Sequence, residues 1–301
     1  MSTGSVSFYI TSKFRFAKRM IRHRLERQPR SCPYCGPSSP VHLVRHKKFI
    51  MDILECGTCR LVFRWPMDTP QEHDVHYHDE FAIDAPQIAL PGPEELRTLM
   101  HSNFVGSALD LNAKIRVLKA LRASGRVLDF GCSWGYGTFQ LRQHGYDAVG
   151  FEISKPRANY ARKELSLAVI DTLDELCSLP ASSFDIIFSN HVLEHILPIK
   201  DALISLTRLL TEDGIAFHVL PNFTGRSARA GMWLKWIGED HPIAPTIDFF
   251  KYAVPRSELQ APIFGSSPFD ERLIAALNGH PGATLSTDGD ELLVYAPKVS
   301  P

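Results

Sequence analysis

The stretch RVLDFGCSWGYGTFQL constrains this chain more than any other. A short apolar run reads as a buried strand ending at Asp129. Gly131 then opens a tight turn, and Gly135 and Gly137 let the backbone approach a ligand before a helix begins. The glycines run GxxxGxG with bulky Trp134 and Tyr136 between them, whereas a dinucleotide fingerprint runs GxGxxG and receives a pyrophosphate. A pyrophosphate therefore fits this turn poorly. About twenty residues on, a second strand delivers Glu152 in GFEIS, where a carboxylate can accept both hydrogen bonds of a ribose diol. Alone, a glycine turn is weak evidence and an acid at a strand end is often a cap. Together, in one βαβ frame, they define a ligand crevice.

The rest of the C-terminal portion extends that frame. From Arg126 onward apolar runs alternate with helical segments, the pattern of a parallel sheet covered on both faces. Strands are expected at RVLDF, DAVGFE, LAVID, FDIIFS and GIAFHVL, and helices beginning near Gly137, Lys155, Leu173 and Glu194. Two β-rich runs around Asp288 and Gly289 in ATLSTDGDELLVYAP signal a hairpin, so the sheet should end in antiparallel strands. The expected fold class is α/β: a Rossmann-like, doubly wound, mostly parallel sheet with a terminal antiparallel hairpin, behind a small N-terminal zinc ribbon.

The ribbon is read from cysteine spacing. Cys32 and Cys35 form one CxxC knuckle, and Cys56 and Cys59 a second. Each CxxC turn presents two sulfurs to one ion, and four thiolates suit structural zinc. A closed thiolate shell leaves no position for a reactive water, so a catalytic zinc is not expected there. Gly36 and Gly57 stand where the backbone must turn, with short β-like runs between the knuckles. His42 and His46 read as surface residues. A thioredoxin-like redox pair is the competing reading, but its βαβ surroundings are missing. Downstream, EHDVHYHDE gathers His73, Asp74, His76, His78 and Asp79; no two of the histidines show the i, i+4 spacing of a helical ligand pair, and a polar linker or substrate-facing loop is the plainer reading.

Charge divides the chain. Lys plus Arg balance Asp plus Glu at 33 each, so no global pull on nucleic acid follows. Yet the first thirty residues carry eight Lys or Arg against one acid, Glu26. With Phe14, Phe16, Met20 and Ile21, that segment is either a solvated leader helix or a weak contact with an anionic membrane surface. No apolar run is long enough to span a bilayer, and the basic stretch lacks the apolar core and cleavage site of a secretory signal. A cytoplasmic protein is expected. The sequence divides into a basic segment (1–30), the ribbon (31–66), a proline-punctuated linker with a lead-in helix (67–107) and the main domain (108–298).

The motifs DFGCSWGYG, GFEIS, FDIIFSNHVLEHI and LLTEDGIAFHVLPN resemble those of class I S-adenosylmethionine-dependent methyltransferases, over roughly residues 108 to 297. CPYCG and CGTCRLVF extend the resemblance to a subgroup with an N-terminal zinc ribbon. The resemblance implies S-adenosylmethionine as cofactor, with Asp129, Gly131, Ser133, Gly135 and Gly137 around its methionyl part, Glu152 on the ribose and Ile153 near the adenine. It further places Asp171 or Thr172 at the adenine edge, where a helix cap is the alternative. Asn190, His191, Glu194 and His195 follow the fourth strand of the domain and should face the reacting centre. His191 and His195 are the candidate general bases, since a neutral imidazole accepts a proton near pH 7.

After the fifth strand, the long segment PNFTGRSARAGMWLKWIGEDHPIAPTIDFF lies where a lid over the acceptor would. The resembling proteins often carry a Glu-His pair there; this chain has Thr246, Ile247 and Asp248, leaving His241 as a lesser candidate. The expected reaction is methylation, on oxygen, of a small molecule or saccharide precursor. RNA methylation with the ribbon as reader, or a non-catalytic cofactor-binding role, are the alternatives.

Overall fold

The computed structural model of the chain describes residues 3–75, 89–229, 231 and 233–299. The histidine-rich stretch at His76, His78 and Asp79 lies outside the described residues. The ribbon comes first: β1 (Val41–Lys47), β2 (Met51–Cys56) and β3 (Val62–Trp65) form an antiparallel meander. The main domain follows with β4 (Arg126–Phe130), β5 (Asp147–Phe151), β6 (Val169–Ile170), β7 (Phe184–Asn190) and β8 (Leu210–Pro221). Next, β9 (Ile243–Ala244) crosses to the ribbon and pairs with β3, while β10 (Ile263–Ser266) and β11 (Glu291–Pro297) return to the main sheet.

The main sheet runs β10-β11-β8-β7-β4-β5-β6. β4 through β8 are parallel; β11 lies antiparallel to both β8 and β10. Because β4 sits between β5 and β7, the strand order reverses beside it, and the crevice for a ligand opens beyond the carboxyl ends of β4 and its neighbours. Alternate side chains explain the continuous apolar runs. Val127, Ile186, Phe188, Phe217 and Leu293 bury on one face, and Leu128, Phe130, Ile187, Leu220 and Leu292 on the other.

Two expectations change in detail. The sheet does end in antiparallel strands, but the partner of β11 is β10, with the helix Glu271–Leu277 between them, and residues 283–288 are irregular. Glu194 falls in a single 3-10 turn, Leu193–His195, and the α-helix starts only at Ile199. Pro198 is the cause: it disfavours helical backbone at Leu197 and donates no N–H, so the helix can begin only after it.

The ribbon is bonded to the main domain by more than a linker. Its cysteines, Leu54, Phe63 and Trp65 share one apolar core with Phe249 and Phe250 of the helix Ile247–Ala253 and with the main sheet. Tyr34 meets Phe249 edge-on at 5.3 Å between ring centroids. At the N-terminus, the basic helix Thr3–Leu25 packs Phe16 and Met20 onto Met51, while Phe14 and Ile21 remain exposed. Those four side chains therefore do not share one outward face. Its cations pair inward: Arg19 with Asp68 at 2.7 Å, Lys13 with Glu239 at 2.9 Å, and Arg22 and His23 with Glu72. No helix among the described residues is long and apolar enough to cross a membrane.

Candidate active site and thiolate cluster

The turn after β4 is built by exclusion. Gly131 has φ +79°, and a Cβ added there would lie 2.5 Å from Cγ2 of Val192. One further on, a Cβ at Gly137 would lie 2.9 Å from Oδ2 of Asp129. At both positions any side chain would collide with a neighbouring one, so the turn packs tightly only with glycine. Gly135, at φ +92°, sets the start of the helix Tyr136–Gln143, which carries Gly137. Trp134 is fully buried and forms the back wall with Phe104 and Tyr160.

Two carboxylates flank the turn. Asp129, 3% exposed, accepts a 2.7 Å hydrogen bond from the Thr138 hydroxyl. Burial pushes its carboxyl up to about 7, with Glu152 adding to the shift against the Thr138 bond. Glu152, just past β5, accepts the backbone N–H of Ser133 at 2.9 Å and of Ser154 at 2.8 Å. It faces the glycine turn, not solvent. Ser133 itself holds a left-handed φ of 52°, and its hydroxyl accepts Nη1 of the buried Arg157 at 3.1 Å. Arg157 had no mark in the sequence beyond lying in the helix after β5.

Other anticipated cofactor contacts are engaged locally. Ile153 packs against the main core. Asp171 accepts Lys155 and Arg162, each at 2.8 Å. The Thr172 hydroxyl caps the helix Leu173–Ser178 by accepting the N–H of Glu175 at 3.1 Å. Asn190, at the end of β7, accepts Nζ of Lys114 at 2.8 Å.

Across the crevice the turn after β7 is held by long-range charge. His191 sits at φ +55°, its Nε2 2.7 Å from Glu291 and its Nδ1 3.5 Å from Glu194. Lys114 donates to the same Glu291 oxygen at 2.5 Å. Partial burial opposes a charge on His191, but the two carboxylates outweigh it and raise its pKa to about 9. His191 is therefore mostly a cation at neutral pH and a poor proton acceptor there. His195 is the reverse: burial lowers it to about 4 against the pull of Glu194, so the ring is neutral. Its Nδ1–H donates to the Asp240 carbonyl at 2.6 Å, and its own carbonyl accepts His73 Nε2 at 2.7 Å. Burial pushes Glu194 up, but His191, His195 and His241 outweigh it and hold it at about 2. Lys114 and Glu291 carried no sequence signal, because their partners lie 76 to 177 residues away, and His73 was marked only as part of the histidine-rich stretch.

The sulfurs of Cys32, Cys35, Cys56 and Cys59 all lie within 4.8 Å of one another, with Cys32 and Cys59 at 3.6 Å. That separation is too long for a disulfide and close to the roughly 3.8 Å edge of a tetrahedron with 2.3 Å zinc–sulfur arms. The cluster fits a four-thiolate ion.

A doubly wound sheet with a glycine turn and a carboxylate at its switch point defines a nucleoside-binding domain. Residues 108–256 match the family model described as a methyltransferase domain. Among solved structures it is similar to a SAM-dependent methyltransferase from Archaeoglobus fulgidus, 17% identical, covering 67% of this chain and 99% of that one, with a TM-score of 0.47. It is also similar to a SAM-dependent methyltransferase, possible histamine N-methyltransferase, from Thermotoga maritima: 14% identical, 68% and 95% covered, TM-score 0.49. A third is the S-adenosylmethionine-dependent methyltransferase from Mesorhizobium loti, 16% identical, 63% and 100% covered, TM-score 0.45. Comparison with curated protein sequences gives no match.

Proposed function

We propose that the chain transfers a methyl group from S-adenosylmethionine to the oxygen of a small-molecule or saccharide-precursor acceptor, inside a reducing cytoplasmic compartment. The observation that carries this reading is the pairing of the Gly131 turn with Glu152. One carboxylate is fixed by two backbone N–H groups beside a turn that only glycine can pack. When bound, the cofactor supplies a methyl already activated by a sulfonium leaving group, so the protein's task is to align the acceptor.

Glu152 suits the ribose hydroxyls, because its remaining lone pairs accept donors that its backbone bonds leave unfilled. Asp129, Gly131, Ser133, Gly135 and Gly137 suit the methionyl part, with Asp129 offering a carboxylate to a cation. Ile153, with the turn at Asp171 and Thr172, suits the adenine. The acceptor then lies against Asn190, His191 and His195, under the segment after β8. Of the two imidazoles, His195 is the one neutral at pH 7. His191, as a cation, suits holding an anionic or hydroxyl-rich acceptor. Thr246, in place of an acid-histidine pair, caps the helix Ile247–Ala253 and offers no acid or base.

The four cysteines suit a structural zinc. Their part is mechanical: the ribbon sheet takes up β9, and Lys47 and Lys13 bond Ile237 and Glu239, so ribbon and basic helix together anchor the lid segment. The balanced net charge and inward-paired basic helix favour a small acceptor over RNA. Incubating the protein with methyl-labelled cofactor and fractionated cell extract tests this: label on small solutes supports it. Label on RNA, or on nothing while cofactor binds, supports the two alternatives respectively.

A further inference from the structure

We propose that Glu194, His195 and His241 form a second metal site, for one divalent ion of the manganese, iron, cobalt or zinc kind, on the acceptor side of the cofactor turn. One carboxylate oxygen and one nitrogen from each ring lie within 4.8 Å of one another, close enough to surround one ion. Two imidazoles and a carboxylate are the donors that borderline divalent ions take. They are unlike the four thiolates of the ribbon.

Three further features fit metal and not mere packing. Glu194 is fully buried, yet no hydrogen bond of ordinary length reaches either carboxylate oxygen among the described residues. The nearest approaches are His191 Nδ1 at 3.5 Å and His195 Nε2 at 3.9 Å, with a His241 ring nitrogen within 4.8 Å. A buried carboxylate with so little solvation is costly unless an ion joins it. Next, His195 has the orientation of a ligand: its Nδ1–H is fixed on the Asp240 carbonyl, so Nε2 is the nitrogen turned towards Glu194. Last, the His241 ring lies 4.7 Å from the His195 ring, tilted by 59°, from a separate segment whose Asp240 carbonyl orients His195. One short stretch thus supplies both a ligand and the support of another ligand.

The position gives the ion a use. Val192, two residues before Glu194, is the side chain that abuts Gly131, so the site lies next to the glycine turn. With an acceptor hydroxyl on the ion, its proton leaves to solvent more easily. The oxygen–methyl bond forms as the sulfur–methyl bond breaks, and the bonding pair goes to sulfur, which becomes a neutral thioether. This role rests on the methyltransferase reading; the binding of the ion does not.

The test is a titration of the full, zinc-loaded chain with manganese(II), following free ion by electron paramagnetic resonance. Manganese prefers oxygen and nitrogen donors and leaves the thiolates to zinc. The wild type should hold one manganese per chain, and Glu194→Gln and His241→Ala should each weaken it about tenfold or more. Should Glu194→Gln not fold, His241→Ala decides, since that ring is only partly buried. A wild type that holds no more manganese than the His241→Ala variant overturns the site. Parallel titration with S-adenosylhomocysteine separates the two claims: manganese bound without cofactor affinity would retain the metal site and refute the methyltransferase role.

Discussion

The two turns that face each other across the crevice are made differently. The turn after β4 is shaped by missing side chains, at Gly131 and Gly137, and by the backbone N–H of Ser133, which with that of Ser154 holds the Glu152 carboxylate. The turn after β7 is held by a chain of charges, Lys114 to Glu291 to His191 to Glu194, drawn from remote parts of the sequence. A backbone-built turn is rigid and specific for one ligand. A charge-built turn can be retuned by a single substitution at a distance.

The ribbon stands behind the second turn, and breaking it should have the largest effect. Cys56→Ser should destabilise the chain by well over about 5 kcal/mol, since zinc ligation in small modules contributes on the order of 10 kcal/mol. Zinc content by native mass spectrometry and a thermal melt check it; because the ribbon shares the core of the main domain, one cooperative transition should move, not two. Next comes Gly131→Ala, at about 2–5 kcal/mol, from a left-handed φ and a clash with Val192. Adding Val192→Ala should restore part of that loss in denaturant melts, because it removes the clash and leaves only the φ strain.

Less of this was legible in the sequence on the second side than on the first. Gly131, Gly135, Gly137 and Glu152 lie within one βαβ unit, and a spacing pattern shows them. The cysteine knuckles are legible for the same reason. Glu291, Lys114 and His73 reach the site through sheet order and loop packing, which no local periodicity encodes. Pro198 was visible, yet the helical pattern from Glu194 masked its effect, and β10 was missed because four residues make a weak strand signal.

Two smaller, pH-dependent effects sharpen the contrast. Burial raises the Asp129 carboxyl from its ordinary range near 4 to about 7, so the stability tied to its proton is present below about 4 and lost as pH rises through 7. A cationic ligand favours its ionised form. Cofactor binding should therefore release a proton below pH 7 and tighten as pH rises to it, and Asp129→Asn should flatten both trends in calorimetry. On the other turn, the His191 pKa near 9 means that its ion pairs are intact below about 6.5 and lost as pH rises through 9. Glu291→Gln should lower the His191 titration midpoint seen by NMR and leave cofactor affinity within about threefold.

The account depends most directly on Glu152 as the grip on the ribose. Calorimetric titration of S-adenosylhomocysteine into wild type and Glu152→Ala, with folding of both verified by circular dichroism, tests it. The wild type should bind one equivalent per chain, and the variant should lose about 1.5 to 3 kcal/mol, roughly ten- to a hundredfold in affinity. Equal affinity in the two proteins, or none in the wild type, would contradict it.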